Sequence, residues 1–380
     1  MILSFTDLHL GLKHQSKQEH SGLYTSEVEA YKCLDYIYEY CKDPIHKITL
    51  VIFKGDWFHT TTPAAIHYKE TIKWLTKCNE LSIKFIFIPG NHSCTVFSNC
   101  LSFIKELGLQ NIMLYDSLDE LNHFVHEDYN LYFIPYKYSE SMKERDVNVE
   151  SSFKNTITKI TTSNNIVISH VQETSAKIGS ESLMIAKGVE LIDMQDITNV
   201  NLILLGHIHR HQIYNKNNMT VVYTGSTYYQ DKSDVNQQKG FCVIENLQTV
   251  KFVAIPTIRK YHKVSVNSAI LENLTPLFTS RKLLPKDVIY FDCAELQRDL
   301  SIEDALQSKC VEFNFVYGGT SYLNDSMDLE NISVELNEQD NPETMFKNWV
   351  NAQEEETELL DVVFNKGMKY INAYYKIEEI

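Results

Sequence analysis

Short apolar runs with the composition of β-strands recur along the chain and alternate with stretches of helical spacing. The runs are 2–5, 50–53, 85–88, 166–168 and 202–205, followed by two more at 220–223 and 240–244. Between the early runs, apolar residues recur every three or four positions over 26–41, 66–81 and 99–107, as on the buried face of a helix. This alternation predicts a layered α/β fold.

The first five runs each lead into a short motif of aspartate, asparagine or histidine. The motifs are Asp7-Leu8-His9, Gly55-Asp56-Trp57-Phe58-His59, Gly90-Asn91-His92, the single His170, and Gly206-His207-Ile208-His209. Groups at the carboxyl ends of strands in an open α/β sheet converge on one crevice. The five motifs therefore predict a single site.

The residue types in these motifs indicate a metal centre. Aspartate, asparagine and neutral imidazole form a mixed nitrogen and oxygen set, which suits manganese, iron or zinc better than an all-oxygen Mg²⁺ or Ca²⁺ site. The candidate ligands are Asp7, His9, Asp56, Asn91, His170, His207 and His209. They are too many for one tetrahedral ion and fit two ions roughly 4 Å apart, a pair that activates water for attack on phosphorus. The sequence thus predicts metal-assisted hydrolysis of a phosphoester.

Each motif also has an ordinary structural explanation when it is taken alone. An Asp-x-His at the end of a strand is commonly a helix cap or an Asx-turn, and Gly-Asp and Gly-Asn are common turn dipeptides. The occurrence of all five in order favours the metal centre. We expect the other histidines to be surface or structural residues: His14, His20, His46, His67, His123, His126, His211 and His262.

The order and spacing of the motifs resemble the calcineurin-like metallophosphoesterase superfamily. The N-terminal D-x-H, the G-D-x-x-H and the closing G-H-x-H resemble in particular its SbcD-type branch, the nuclease subunit of the double-strand-break-repair complex. The resemblance covers residues 7–209 and implies a layered β-sandwich domain flanked by helices. It also implies Asp7, His9 and His209 as ligands of one metal ion, Asn91, His170 and His207 as ligands of the other, and Asp56 as a bridge between them.

The resemblance further implies that His92 is the general acid and that His59 orients the DNA or the transition state. Family members usually carry an acidic residue after G-N-H, which orients the catalytic imidazole, whereas this sequence has Ser93. A hydroxyl can accept a hydrogen bond from the ring, but it stabilises imidazolium less than a carboxylate does. Either another acid replaces the missing one or proton donation is weaker.

A change of pattern after Pro256 divides the chain into three parts. Residues 1–256 form the predicted metallophosphoesterase domain. Residues 257–338 form a small α+β module of the size of the capping domain in SbcD-type nucleases. Its predicted strands are 261–266, 288–293, 311–317 and 332–336, with short helices at 269–278 and 302–309. Residues 339–380 form a C-terminal helical segment, whose apolar face packs either on its own domain or on a partner's coiled coil.

Composition limits the partners and the location. A net charge of −15 argues against tight unaided binding to duplex DNA, which needs many basic groups. A positive metal centre on an acidic body, together with a DNA-binding partner, would resolve this conflict. The eight cysteines show no C-x-x-C spacing and are expected to be reduced thiols. No signal peptide or apolar membrane span is visible, so a cytoplasmic location is expected, in the host cytoplasm if the chain is phage-encoded.

Three functions are compared on this basis. The resemblance implies a Mn²⁺-dependent DNA exonuclease and endonuclease, which processes single strands and duplex ends in recombination, repair and replication with an SbcC-type coiled-coil ATPase. It also leaves room for a homodimer. The second function is a metallophosphoesterase acting on a small-molecule or protein phosphate, whose relatives usually lack a cap and a docking helix. The third, a non-catalytic scaffold on the same fold, conflicts with the complete ligand set.

Overall fold

The computed structural model describes residues 1–13, 16, 18–95, 99–117, 121–136, 149–178, 191–194, 197–265, 287–293 and 312–317. The chain divides into two compact units, Met1–Gly318 and Gly319–Ile380. The second unit lies outside the described residues, so the fold is described for the first.

Strands and helices alternate through the first half of the chain. The strands in chain order are β1 (Ile2–Phe5), β2 (Leu50–Lys54), β3 (Lys84–Ile88), β4 (Ile112–Leu114), β5 (Asn122–His126), β6 (Tyr129–Ile134), β7 (Asn165–His170), β8 (Gln172–Glu173), β9 (Leu191–Ile192), β10 (Leu202–Gly206), β11 (Gln212–Lys216), β12 (Met219–Tyr223), β13 (Gly240–Asn246), β14 (Thr249–Ala254), β15 (Tyr261–Ser265), β16 (Val288–Cys293) and β17 (Glu312–Tyr317). The helices are α1 (Thr25–Lys42), α2 (Ala65–Asn79), α3 (Phe103–Glu106) and α4 (Val149–Thr158).

Two six-stranded sheets carry the fold. The first has the order β14-β13-β1-β2-β3-β4, and the second has the order β11-β12-β10-β7-β6-β5. β1 to β4 are parallel to one another, as are β6, β7, β10 and β12 in the second sheet. Each sheet therefore has a parallel centre, with antiparallel strands at the margins.

The side chains of each sheet alternate between two hydrophobic layers, because successive residues of a strand point to opposite faces. Ile2 of β1 packs between the two sheets with residues such as Ile168 of β7. Leu3 and Phe5 face the other way and pack with Trp74 of α2. On the outer face of the second sheet, Phe153 of α4 joins a third cluster. The layers run helix, sheet, sheet, helix, and the predicted β-sandwich flanked by helices is confirmed.

Several elements differ from the sequence prediction. The helix predicted at 99–107 forms only one turn, Phe103–Glu106, and the strands at Asn122–His126, Gln212–Lys216 and Thr249–Ala254 are additions. All three additional strands lie at or near the margins of their sheets. Within the described part of the chain, none of the helices combines the length and apolar character needed to span a membrane.

A small parallel sheet follows the main sandwich. β15, β16 and β17 pair in sequence order, which matches the strands predicted at 261–266, 288–293 and 311–317. The strand predicted at 332–336, the helices at 269–278 and 302–309, and the segment 339–380 lie outside the described residues. The division into three domains at 256 and 338 stays a prediction.

Candidate metal centre

The five motifs lie together at the ends of five strands. Asp7 and His9 follow β1, Asp56 and His59 follow β2, Asn91 and His92 follow β3, His170 ends β7, and His207 and His209 follow β10. Three groups have all their ligand atoms within 4.8 Å of one another: Asp7, His9 and His209; Asp7, Asp56 and His170; and His9, His59 and His92. Asn91 and His207 contact each other beside these groups. Every predicted site residue is therefore at one place.

The backbone is strained at four of these positions. Asp7, His9, Asp56 and His207 have φ angles of 52°, 45°, 59° and 90°. A residue with a side chain loses roughly 1–3 kcal/mol in this left-handed region, and it stays there only where the surroundings fix it. Such strain clusters at functional sites, because it aims side chains that a relaxed strand end would point elsewhere.

Glycines in three motifs leave room for neighbouring ligands. A Cβ atom at Gly55 would lie 2.2 Å from His170 Nδ1, and one at Gly90 would lie 2.2 Å from Asp56 Oδ1. At Gly206 it would lie 2.2 Å from the carbonyl oxygen of Lys54. The glycine of each G-D, G-N and G-H pair is needed here because the next ligand occupies the space of its side chain.

Asp56 lies between two sets of histidines. Its Oδ2 is 3.7 Å from His9 Nε2 and 3.2 Å from His170 Nε2. Its Oδ1 accepts a hydrogen bond of 2.9 Å from the main-chain N–H of His92. Asp56 is buried, so this carboxylate can contact cations on either side without competition from bulk water.

Asn91 connects two further histidines. Its Oδ1 lies 3.0 Å from His170 Nε2 and 3.1 Å from His207 Nδ1. His170 Nδ1 donates to the carbonyl oxygen of Lys54 at 2.6 Å. In the neutral ring this bond leaves the lone pair on Nε2, which faces the site, as in metal-binding histidines held by a carbonyl.

The donor set fits divalent cations. His9 Nε2 and His207 Nε2 are buried and have no hydrogen-bond partner among the described residues, although buried polar atoms are normally paired. Burial, together with the nearby His170, lowers the pKa of His207 to about 3, so this ring stays neutral and able to bind a cation. A divalent ion would supply the partners that these two nitrogen atoms lack.

The carboxylates attract a proton as well as cations. Burial opposes the charged form of His170, but Asp56 and Asp7 outweigh burial and raise its pKa to about 9. A cation bound between these groups would compete with that proton, because metal ligands must be deprotonated. We therefore expect metal binding at neutral pH to release protons.

His59 and His92 face the ligand group from the loops after β2 and β3. Their ring centroids lie 5.3 Å apart, and the His92 ring is 4.7 Å from that of His9. His92 Nδ1 donates to the main-chain carbonyl of His59 at 2.6 Å. Nε2 is therefore the atom through which His92 can exchange a proton with a substrate.

Ser93 does not support His92 as the sequence suggested it could. Its hydroxyl is buried and has no hydrogen-bond partner within the part of the chain that the structure describes. The carbonyl of His59 occupies the position of the missing acid. No acidic side chain is needed to orient the ring.

One buried residue behind the site was not identified from the sequence. The ammonium of Lys54 is buried and donates to Ser4 Oγ at 2.7 Å and Thr224 Oγ1 at 2.9 Å. Burial lowers its pKa to about 8. A signal was available, since Lys54 is the lone charged residue at the end of an otherwise apolar strand.

Comparison with known proteins agrees with this geometry. The family model for calcineurin-like phosphoesterases matches residues 1–211. The chain belongs to the calcineurin-like phosphoesterase family. It is thereby a hydrolase of phosphoesters, in a family that uses divalent metal ions. The described Asp and His clusters at the motif ends are able to bind such ions.

A curated relative within this range is the SbcD subunit of the SbcCD nuclease from Staphylococcus epidermidis. It is 30% identical over 230 residues, which cover 54% of this chain and 58% of that protein. The match thus spans little more than half of the relative's length.

Two solved structures share parts of the fold at low similarity. GAP50, described as the anchor in the inner membrane complex of Plasmodium, is 14% identical with a TM-score of 0.40, over 63% of this chain and 79% of that one. The phosphopantetheinyl hydrolase of Mycobacterium tuberculosis is 10% identical with a TM-score of 0.32, over 59% and 88%. Neither carries an argument about function.

Proposed function

We propose that the protein is a Mn²⁺-dependent DNA nuclease that hydrolyses phosphodiester bonds with two divalent ions. The observation that carries the proposal is the position of Asp56, whose Oδ2 lies within 3.7 Å of ring nitrogens on both sides. A carboxylate that reaches both ligand groups is what a two-ion centre requires. The choice of DNA is supported by the relative named as a nuclease subunit.

The ligands divide around Asp56. Asp7, His9 and His209 would hold the first ion, and Asn91, His170 and His207 would hold the second, with Asp56 bridging both. The first group is supported by ligand atoms within 4.8 Å of one another. The second is supported by the contacts of Asn91 Oδ1 with both histidines. The mixed nitrogen and oxygen donors favour Mn²⁺ over Mg²⁺.

The chain's own residues orient the substrate and deliver the proton. When bound, the two ions supply positive charge for the phosphate and lower the pKa of water. His92 would protonate the leaving oxygen from Nε2, because its Nδ1–H is held by the His59 carbonyl. The His59 ring stacks beside it and would contact the phosphate or the sugar next to the cleaved bond.

The proposal extends to partners. An SbcC-type coiled-coil ATPase would bring duplex ends to this acidic chain, and residues 339–380 would dock on it through their apolar face. Residues 257–338 would cap the site and select DNA ends. Two copies could also pair as a homodimer. An enzyme with these partners would act in the cytoplasm on DNA recombination, repair and replication intermediates.

A comparison of substrates tests the proposal. We expect labelled single-stranded DNA to be cleaved with Mn²⁺ and not with a chelator, and a chromogenic phosphodiester to be cleaved more slowly. Rapid hydrolysis of small phosphoesters with intact DNA would instead assign the protein to enzymes of small-molecule or protein phosphates.

The variant Asp56→Asn tests the two-ion centre. Loss of the bridge should lower DNA turnover on the order of 10³-fold, because several kcal/mol of charge stabilisation disappear. Bound Mn²⁺, measured by metal analysis, should fall from two ions per chain. Asp116→Asn is the matched control, since Asp116 forms a surface ion pair with Lys105. Wild-type turnover from Asp56→Asn at saturating Mn²⁺ would refute the bridge.

A further inference from the structure

One segment, residues 226–239, contacts the main chain of all three residues assigned to the first ion. It lies between β12 and β13 and is far in sequence from β1. The polar side chains that make these contacts are buried: Tyr228, Gln230, Asp234 and Lys239. Because buried polar groups are costly unless paired, their arrangement indicates a specific role.

Gln230 holds the carbonyl of Asp7. Its Nε2 donates to the Asp7 oxygen at 2.6 Å, across 223 residues of sequence. The main-chain N–H of Gln230 donates to Asp234 Oδ2 at 2.7 Å, which fixes the start of the side chain. The φ of Asp7 is 52°, so this bond secures a strained peptide next to a ligand.

Lys239 holds the carbonyl of His209. Its ammonium donates to the His209 oxygen at 2.9 Å and forms a buried ion pair with Asp234. The main-chain N–H of Ser226 donates to the same oxygen at 3.1 Å. A Cβ at Gly225 would lie 2.7 Å from this oxygen, so glycine is required where the segment approaches the ligand.

Tyr228 completes the set at His9. Its hydroxyl donates to the His9 carbonyl at 3.4 Å, and Ser226 Oγ donates to the carbonyl of Tyr228 at 3.0 Å. The φ of His9 is 45°. Both strained ligands of the first ion thus have a carbonyl bonded to this segment.

The second group of ligands is held differently. His170 donates to the carbonyl of Lys54, and the N–H of His207 donates to the carboxylate of Asp7. None of the contacts described for Asn91, His170 or His207 involves residues 226–239. The two halves of the centre therefore have separate supports.

We propose that Gln230 and Lys239 are positioning residues for the first ion, which set its affinity through the carbonyls of Asp7 and His209. This inference rests on the assignment of ligands under the proposed function. The residues do not touch the ion or the substrate. They fix the strained backbone from which the ligand side chains project, so their loss weakens one ion site and spares the other.

Calorimetric titration of the full chain with Mn²⁺ tests the inference. Gln230→Met keeps the size of the side chain and the Lys239–Asp234 pair, but removes the bond to Asp7. We expect the Kd of one Mn²⁺ to rise about tenfold, the equivalent of one buried hydrogen bond, and the Kd of the other to stay unchanged. Electron paramagnetic resonance at limiting Mn²⁺ should show a coupled ion pair in the wild type and isolated ions in the variant.

Gln172→Met is the matched control, because Gln172 is equally buried but its side chain does not bond to Asp7, His9 or His209. It should bind both ions as the wild type does. Lys239→Met should resemble Gln230→Met, provided that thermal unfolding shows a folded chain. Unchanged or equally weakened binding of both ions in Gln230→Met would overturn the positioning role alone. A wild type that binds fewer than two ions would instead overturn the two-ion centre of the proposed function.

Discussion

At the scale of single residues, His92 depends on a main-chain atom for its orientation. The His59 carbonyl accepts the Nδ1–H at 2.6 Å, while the Ser93 hydroxyl has no hydrogen-bond partner among the described residues. A neutral carbonyl fixes the tautomer as a carboxylate would, without adding negative charge beside the phosphate. The substitution of serine for an acid after G-N-H is therefore compatible with proton donation.

This arrangement predicts different outcomes for two adjacent substitutions. His92→Ala should lower the kcat for DNA cleavage by about 10²–10⁴-fold, because a general acid is lost. Ser93→Ala should leave kcat close to that of the wild type, because the hydroxyl does not contact the ring. Single-turnover cleavage at saturating Mn²⁺ measures both. A large defect in Ser93→Ala would show that the hydroxyl does act on His92.

The side chains of the site could be predicted from the sequence, but their supports could not. Each ligand motif follows an apolar run, and strand ends converge, so Asp7 and His207 could be placed together although 200 residues separate them. The His59 carbonyl and the Gln230 amide left no such signal. A main-chain acceptor has no side chain to read, and a lone glutamine in a loop is ordinary.

At the scale of elements, a buried histidine joins the two helices on the outer face of the first sheet. His67 of α2 lies 3.1 Å from Glu27 Oε1 and 2.7 Å from the hydroxyl of Tyr31, both on α1. Burial lowers the pKa of His67 from 6.5, although Glu27 acts in the opposite direction. The expectation that His67 is structural is consistent with these contacts.

The lowered pKa gives a pH dependence with a defined sign. The folded state disfavours protonated His67, so its contribution to the unfolding free energy is present above pH 6.5 and is lost as the pH falls below that value. His67→Gln should lack this loss. Urea unfolding of both proteins above and below pH 6.5 measures the difference, in which the other titrating groups cancel. Parallel pH dependences would contradict the assignment.

A buried ion pair fastens the strand β15 region to α1. Arg259 Nε donates to Glu29 Oε2 at 3.0 Å, and the N–H of Ile258 donates to Oε1 at 3.0 Å. Glu29→Ala should lower the unfolding free energy by about 3–5 kcal/mol, because it leaves a buried charge unpaired. Glu70→Ala, which breaks the surface pair with Lys73, should cost less than about 1 kcal/mol. Equal losses in urea unfolding would refute this difference.

The strands with ligand motifs were predictable, and the marginal strands were not. A central strand such as Leu202–Gly206 is buried on both faces and reads as a continuous apolar run. Gln212–Lys216 lies at the edge of its sheet, and its residues are alternately half-buried and exposed. Its polar composition resembles a loop, because only the turn at Asn217 and Asn218 and its pairing with β12 make it a strand.

At the scale of the whole molecule, the segment that supports the first ion also contacts the small parallel sheet. Tyr229 stacks on Tyr261 of β15 at 5.6 Å, and Tyr229 Oη donates to the carbonyl of Gln237 at 2.6 Å. The metal centre and the predicted capping module therefore share one structural connection, within the first unit of the chain.

Deletion of residues 339–380 should separate catalysis from assembly. These residues lie outside the described part of the chain, and their apolar positions Phe346, Trp349 and Val350 have the spacing of a docking helix. We expect the truncated chain to cleave single-stranded DNA with Mn²⁺ and to fail to co-elute with a coiled-coil ATPase. Circular dichroism is the control. An unfolded truncated chain would show that the segment belongs to this protein's own core.

The central place of β1 sets the order in which the protein can mature during synthesis. β1 pairs with β2 on one side and with β13, Gly240–Asn246, on the other. The first strand to leave the ribosome therefore keeps one edge open until about two thirds of the chain has been made. Long-range pairing of this kind is slow and leaves apolar surface exposed in the meantime. Metal loading must come later still, because Asp7 finds its partner Gln230 only near the end of that interval.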